Sequence, residues 1–94
     1  MLDITVGSNG EIILSGRFDA AEAEKARQIF LSLTDARVVD FSNLDYISSA
    51  GLGVLLAAQK KLSERGKSLR LINVSGHIRD VFHFSGFDQI FEIG

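Results

Sequence analysis

The chain has 94 residues, 46% of them hydrophobic, which is enough for one core but not two and too apolar for a disordered segment. Twelve acidic and ten basic residues leave a net charge of −2, so there is no basic footprint for nucleic acid or an anionic membrane. The absence of cysteine excludes a disulfide framework and a thiolate site and suits a reducing cytoplasm, and no apolar run approaches the roughly 20 residues needed to cross a bilayer.

Met1-Leu2-Asp3 opens directly into alternation and reads as neither a signal peptide nor a targeting helix. Leu2, Ile4 and Val6 alternate with Asp3 and Thr5, which predicts a half-buried strand. Gly7-Ser8-Asn9-Gly10 is a turn sequence, and residues 11–15 return as a second strand, so the chain starts with a hairpin. Gly16 is expected to break that strand. Asp19 stands three residues before Glu22, the spacing of a capping box, ahead of a helix that buries Ala23, Ala26, Phe30 and Leu33. A short β-rich run follows at 37–41.

A second helix near 50–65 sets Leu52, Leu55, Leu56 and Leu62 on one face. Lys60, Lys61 and Arg65 complement its C-terminal dipole, and Gly66 stands where it should stop. Residues 68–73 form the next strand. Ser75 starts a third helix with Ile78, Val81 and Phe82 inward, Gly86 ends it, and 90–93 close as a strand. The order β-β-α-β-α-β-α-β predicts an α/β fold: one domain over 1–94 with a mixed sheet of four or five strands, parallel where helical crossovers connect them.

The most informative segment is Asp45-Tyr46-Ile47-Ser48-Ser49-Ala50-Gly51-Leu52-Gly53-Val54-Leu55. It reads as a strand leaving through a polar turn into the start of the second helix. A helix N-terminus presents unpaired N–H groups and a partial positive charge, a seat for an anion such as phosphate. Ala50, Gly51 and Gly53 leave the backbone open to a partner surface. By residue type alone Ser48 and Ser49 are N-caps, Asp19 caps the first helix, and Asp45 is a turn aspartate.

Four pieces, in order, resemble the STAS domains of anti-sigma-factor antagonists. They are Gly16-Arg17-Phe18-Asp19, the Asp40-Phe41-Ser42 strand end, Ser48-Ser49-Ala50-Gly51-Leu52-Gly53, and the closing Phe84-Ser85-Gly86-Phe87-Asp88-Gln89-Ile90-Phe91. The resemblance implies a STAS-like mixed sheet with helices packed on it, and transcription regulation by partner switching. In that family the unphosphorylated antagonist binds an anti-sigma factor that is also a serine kinase of the histidine-kinase-like ATPase type. Phosphorylation of a serine at this helix start ends the binding, and a serine phosphatase resets it.

The resemblance assigns Asp19, Ser48, Ser49, Ala50, Gly51, Leu52 and Gly53 to the partner-binding surface. The family pattern is commonly Asp-Ser-Ser-Gly or Asp-Ser-Thr-Gly, with the acceptor hydroxyl directly before the glycine. Here Ala50 holds that place and Ser48 stands where the aspartate would be. Ser49 is then the expected phosphorylation site and Ser48 the second choice. The alternative is a constitutive, non-phosphorylated subunit of a transporter or signalling assembly, which Ala50 favours.

An enzyme is not expected. Ser-Ala-Gly-Leu-Gly is not a G-x-S-x-G elbow, and Gly7, Gly10 and Gly16 lack the spacing of a dinucleotide fingerprint. His77 and His83 are six apart rather than four, and with Asp80 and Asp88 they form no recognisable ligand set, so neither metal nor cofactor is expected. Phe82, Phe84, Phe87 and Phe91 read mainly as core, with a C-terminal contact patch as the minority reading.

Overall fold

The computed structural model describes residues 1–94. Five strands form one sheet in the order β1-β2-β3-β4-β5: β1 (Leu2–Val6), β2 (Ile12–Phe18), β3 (Arg37–Ile47), β4 (Leu69–Ile72) and β5 (Glu92–Ile93). The hairpin strands β1 and β2 are antiparallel, and every later pair is parallel. The parallel connections carry α1 (Ala23–Leu31), α2 (Ser49–Ser63) and α3 (Gly76–Ser85). The fold is therefore the expected α/β arrangement of a mixed sheet with three helices.

One face of the sheet is buried and the other is not. Leu14, Phe18, Val39, Phe41, Ile47 and Leu71 lie against the inward residues of the helices, among them Ala26, Phe30, Leu55, Leu62, Ile78 and Phe82. Phe82 meets Phe41 and Phe91 edge-on, at ring separations of 6.0 and 5.6 Å, a favoured aromatic geometry. On the opposite face Ile13, Val38, Tyr46 and Ile72 are only half-buried. The four phenylalanines therefore do not act as one patch: Phe82 and Phe91 are core, Phe87 packs at its margin, and Phe84 is exposed. The buried Gln59 is satisfied at both ends, its Oε1 accepting from Leu69 N (2.7 Å) and its Nε2 donating to Ile90 O (3.4 Å).

Three expectations need correction. Gly16 does not end β2; it bends it. Its φ of +94° suits glycine, and a Cβ there would lie 2.3 Å from the Met1 carbonyl oxygen. The strand then runs on to Phe18.

Strand β3 is eleven residues long, not five, and Asp45 lies within it rather than in a turn. Two bulges explain the difference. Ile13 to Ser15 spans two steps on β2, while the paired Asp40 to Asn43 spans three; Gly16 to Arg17 is one step against two from Leu44 to Tyr46. Each extra residue shifts the alternation by one, so the buried positions become Val39, Phe41, Leu44 and Ile47. At the first bulge Asp40 Oδ1 accepts from Ser42 N (2.9 Å) and from Asn73 Nδ2 (3.1 Å). Burial disfavours the Asp40 charge, yet these hydrogen bonds outweigh it and hold the carboxyl below its usual range.

The capping box at Asp19 does not form. Asp19 precedes a 3₁₀ turn, Ala20–Glu22, and its side chain caps nothing. Glu22 is drawn elsewhere: its carboxylate accepts from Leu2 N at 3.2 Å, and Lys25 Nζ donates to Leu2 O at 2.6 Å. Both side chains satisfy outward backbone groups at the start of the edge strand, where an unpaired ladder is otherwise a liability.

Candidate functional site

The site is built where β2 and β3 end and α2 begins. Phe18 and Ile47 pair as the last register of the two strands, and the next amide, Ser48 N, donates to Phe18 O at 2.9 Å. Ser48 is the N-cap of α2, with extended backbone. Its carbonyl accepts from Leu52 N (2.9 Å) and its Oγ from Gly51 N (3.1 Å). The first of these is the opening i→i−4 bond of the helix and the second meets the orphan donor of Gly51; the amides of Ser49 and Ala50 have no helical acceptor. No acidic residue lies in this turn to neutralise its positive end.

Gly51 explains how closely the helix sits. A Cβ there would meet Ile47 Cγ1 and the Phe18 ring at 3.0 Å, so the first turn rests directly on the ends of both strands. The seven residues assigned to the docking surface therefore separate. Ser49, Ala50 and Gly53 are exposed, Ser48 and Asp19 are half-buried, and Gly51 and Leu52 lie in the packing underneath. Of the two serines only Ser49 presents an uncommitted hydroxyl.

Gly53 and Asp19 carry features the fold does not require. Nothing lies within 4 Å of a Cβ built on Gly53, and its backbone is ordinary helix. A glycine in that setting costs about 1 kcal/mol relative to alanine. Asp19 Oδ1 is shut off from solvent and accepts no hydrogen bond, an unsatisfied acceptor in the segment that follows Phe18.

On the uncovered side of the same strand ends, the Arg17 guanidinium lies over the Tyr46 ring, 4.3 Å from its centroid. Sequence spacing gives no sign of this pair, because the bulge at Gly16–Arg17 sets which residues face each other. Elsewhere, His83 Nδ1 is 2.9 Å from Asp88 Oδ2 on the surface, His77 is exposed, and no three His, Asp or Glu residues gather in metal-ligand geometry. A shallow cavity of about 280 Å³ lies at the other end of β3, lined by Ala36, Arg37, Val38, Ser68, Arg70 and Glu92. No helix is long and apolar enough to cross a membrane.

A family profile described as "Mlab, STAS domain" matches residues 4–92. A Bordetella bronchiseptica protein named as an anti-sigma factor antagonist, BtrV, is 41% identical over 83 residues, covering 87% of this chain and 70% of its own. The anti-sigma-B factor antagonist of Listeria monocytogenes is 30% identical over 87 residues, covering 88% and 76%. Among solved structures, the Bacillus cell fate determinant SpoIIAA in its phosphorylated form shares the fold with a TM-score of 0.69. Its identity is 22%, over 100% of this chain and 91% of its own. By profile and identity the chain belongs to the STAS-domain proteins of the anti-sigma-factor-antagonist family, which are non-enzymatic.

Proposed function

We propose that the chain is a cytoplasmic anti-sigma-factor antagonist that works by partner switching. Unphosphorylated, it docks the exposed strip Ser49-Ala50-Gly53, with Asp19 and Ser48 beside it, on an anti-sigma factor that is also a serine kinase of the histidine-kinase-like ATPase type. The observation that carries this reading is the division of labour at the start of α2: Ser48 Oγ is held by Gly51 N–H, while Ser49 is exposed one residue later. The domain makes no contact with nucleic acid and inserts in no membrane.

The switch follows from charge. The kinase transfers the γ-phosphoryl group of its own ATP to Ser49 Oγ, its base takes the hydroxyl proton, and ADP leaves. Phosphate adds about −1.5 to −2 charge at neutral pH. On the free domain the unpaired amides and the helix dipole tolerate that charge. In an interface fitted to a neutral hydroxyl, desolvating it without a cationic partner costs several kcal/mol, roughly, which is enough to end ordinary binding. A serine phosphatase hydrolyses the ester and restores the binding form.

The test is phosphorylation by the kinase encoded in the same genome, followed by intact mass and site mapping. Wild-type protein and Ser48→Ala are expected to gain one phosphoryl group, and Ser49→Ala none while still binding. Incorporation into Ser49→Ala at the wild-type rate moves the acceptor to Ser48. The second reading, a constitutive subunit of a transporter or signalling assembly, is favoured by one observation: Ala50 occupies the exposed position directly before Gly51. A stable complex in which no phosphate is ever incorporated selects it.

A further inference from the structure

We propose that the Arg17–Tyr46 stack is a second anchor of the same docking surface and binds a carboxylate of the anti-sigma partner. This rests on the antagonist reading and names the partner chemistry it requires.

The pair belongs to the docking end by construction. Arg17 faces Tyr46 in the β2–β3 register, Phe18 faces Ile47 next, and Ser48 N–H follows on the Phe18 carbonyl. Phe18 and Ile47 point into the core. Alternation along a strand therefore brings Arg17 and Tyr46 out on the sheet face that no helix covers. A partner seated on the start of α2 needs only to fold over the strand ends to reach them.

The state of the guanidinium argues for an anion. Arg37, Arg70 and Arg79 each direct a side-chain nitrogen to an oxygen of this chain. Arg17, like Arg27 and Arg65, does not: no carboxylate lies within 4.0 Å of it and its side chain makes no hydrogen bond, but it alone of the six arginines is held on an aromatic ring. Stacking uses the flat face of the guanidinium and leaves its N–H edge open, in the fork geometry that matches a carboxylate bidentately. The ring beneath also holds the long side chain in place, so less freedom is lost when a partner arrives. An exposed Arg over a half-buried Tyr presents the two residue types that dominate binding energy at protein interfaces.

The test is calorimetric titration of unphosphorylated protein with the anti-sigma factor kinase of the same genome at low and physiological salt. Circular-dichroism melts confirm that each variant folds. Arg17→Ala is expected to weaken binding about tenfold or more and to flatten its salt dependence. Arg17→Glu should weaken it several-fold further, because it sets like charges together, and Arg17→Lys should recover only part of the loss. Tyr46→Phe keeps the ring and should bind as wild type, whereas Tyr46→Leu should not.

Equal affinities for Arg17→Ala and Arg17→Glu, or an Arg17→Ala affinity within twofold of wild type, would overturn the proposal. Gly53→Arg separates the two readings. If it abolishes binding while the Arg17 variants bind normally, the antagonist reading stands and the carboxylate anchor falls. If the wild-type protein itself does not bind, both fall.

Discussion

The starts of α2 and α3 share one local chemistry. Ser48 and Ser75 both have extended backbone, and each side-chain oxygen accepts from the amide three residues on, at 3.1 Å from Gly51 and 3.4 Å from Ile78. After the cap they differ. In α2 comes a second hydroxyl, Ser49, then a glycine pressed onto Phe18 and Ile47. In α3 comes Gly76, where a Cβ would meet nothing within 4 Å, and then the exposed His77. A capping serine therefore marks a helix start and nothing more. What distinguishes the α2 start is a spare hydroxyl on a backbone held close to the sheet.

The two glycines give the sharpest way to break that comparison. Gly51→Val forces branched carbons into a space already 3.0 Å from its neighbours, and about 1–3 kcal/mol of stability should be lost. Gly76→Val points into open space and should stay within about 0.5 kcal/mol of wild type. Urea melts of the two proteins decide it; equal losses would mean that α2 does not rest on the strand ends. The caps come next in size. Ser48→Ala and Ser75→Ala should each cost about 1 kcal/mol, with Ser75→Ala the smaller because its bond is longer. A larger loss at Ser75 would contradict the ranking of the two caps.

The same contrast shows what was legible in the amino-acid sequence. The order of strands and helices, both serine caps and the Gly86 stop follow from periodicity and residue type, which act locally. Strand β3 reads short in the sequence because its bulges shift the alternation at Leu44 and Ile47, and a period-2 pattern cannot survive an inserted residue. Gly16 reads as a breaker because its positive φ is a turn conformation; only the neighbouring Met1 backbone shows why it sits inside a strand. The Glu22 side chain left the expected capping box for the Leu2 amide, a long-range partner that spacing does not reveal. At the site, the segment 48–53 stands out by its composition of serines and small residues at a helix start. Which of its residues reach the surface depended on how α2 lies on Phe18 and Ile47, and the Arg17–Tyr46 stack depended on register.

Gly53 yields the smallest change in stability and the most direct reading of function. It sits inside α2, exposed, with ordinary helical backbone and no atom near its missing Cβ. Neither packing nor conformation explains a glycine there. Gly53→Ala should therefore stabilise the domain by about 0.5–1 kcal/mol, because glycine loses more backbone freedom on entering a helix. A partner that closes directly onto the Ser49-Ala50-Gly53 strip would meet the added methyl group, and overpacking a fitted surface is itself destabilising. The expected result is opposite signs: a higher urea midpoint for the free domain and weaker binding to the anti-sigma partner, with Ser49 still phosphorylated. Stabilisation with unchanged affinity would place the contact away from Gly53 and leave its glycine unexplained; a loss of stability would show that the helix is more tightly packed there than the 4 Å of open space allows.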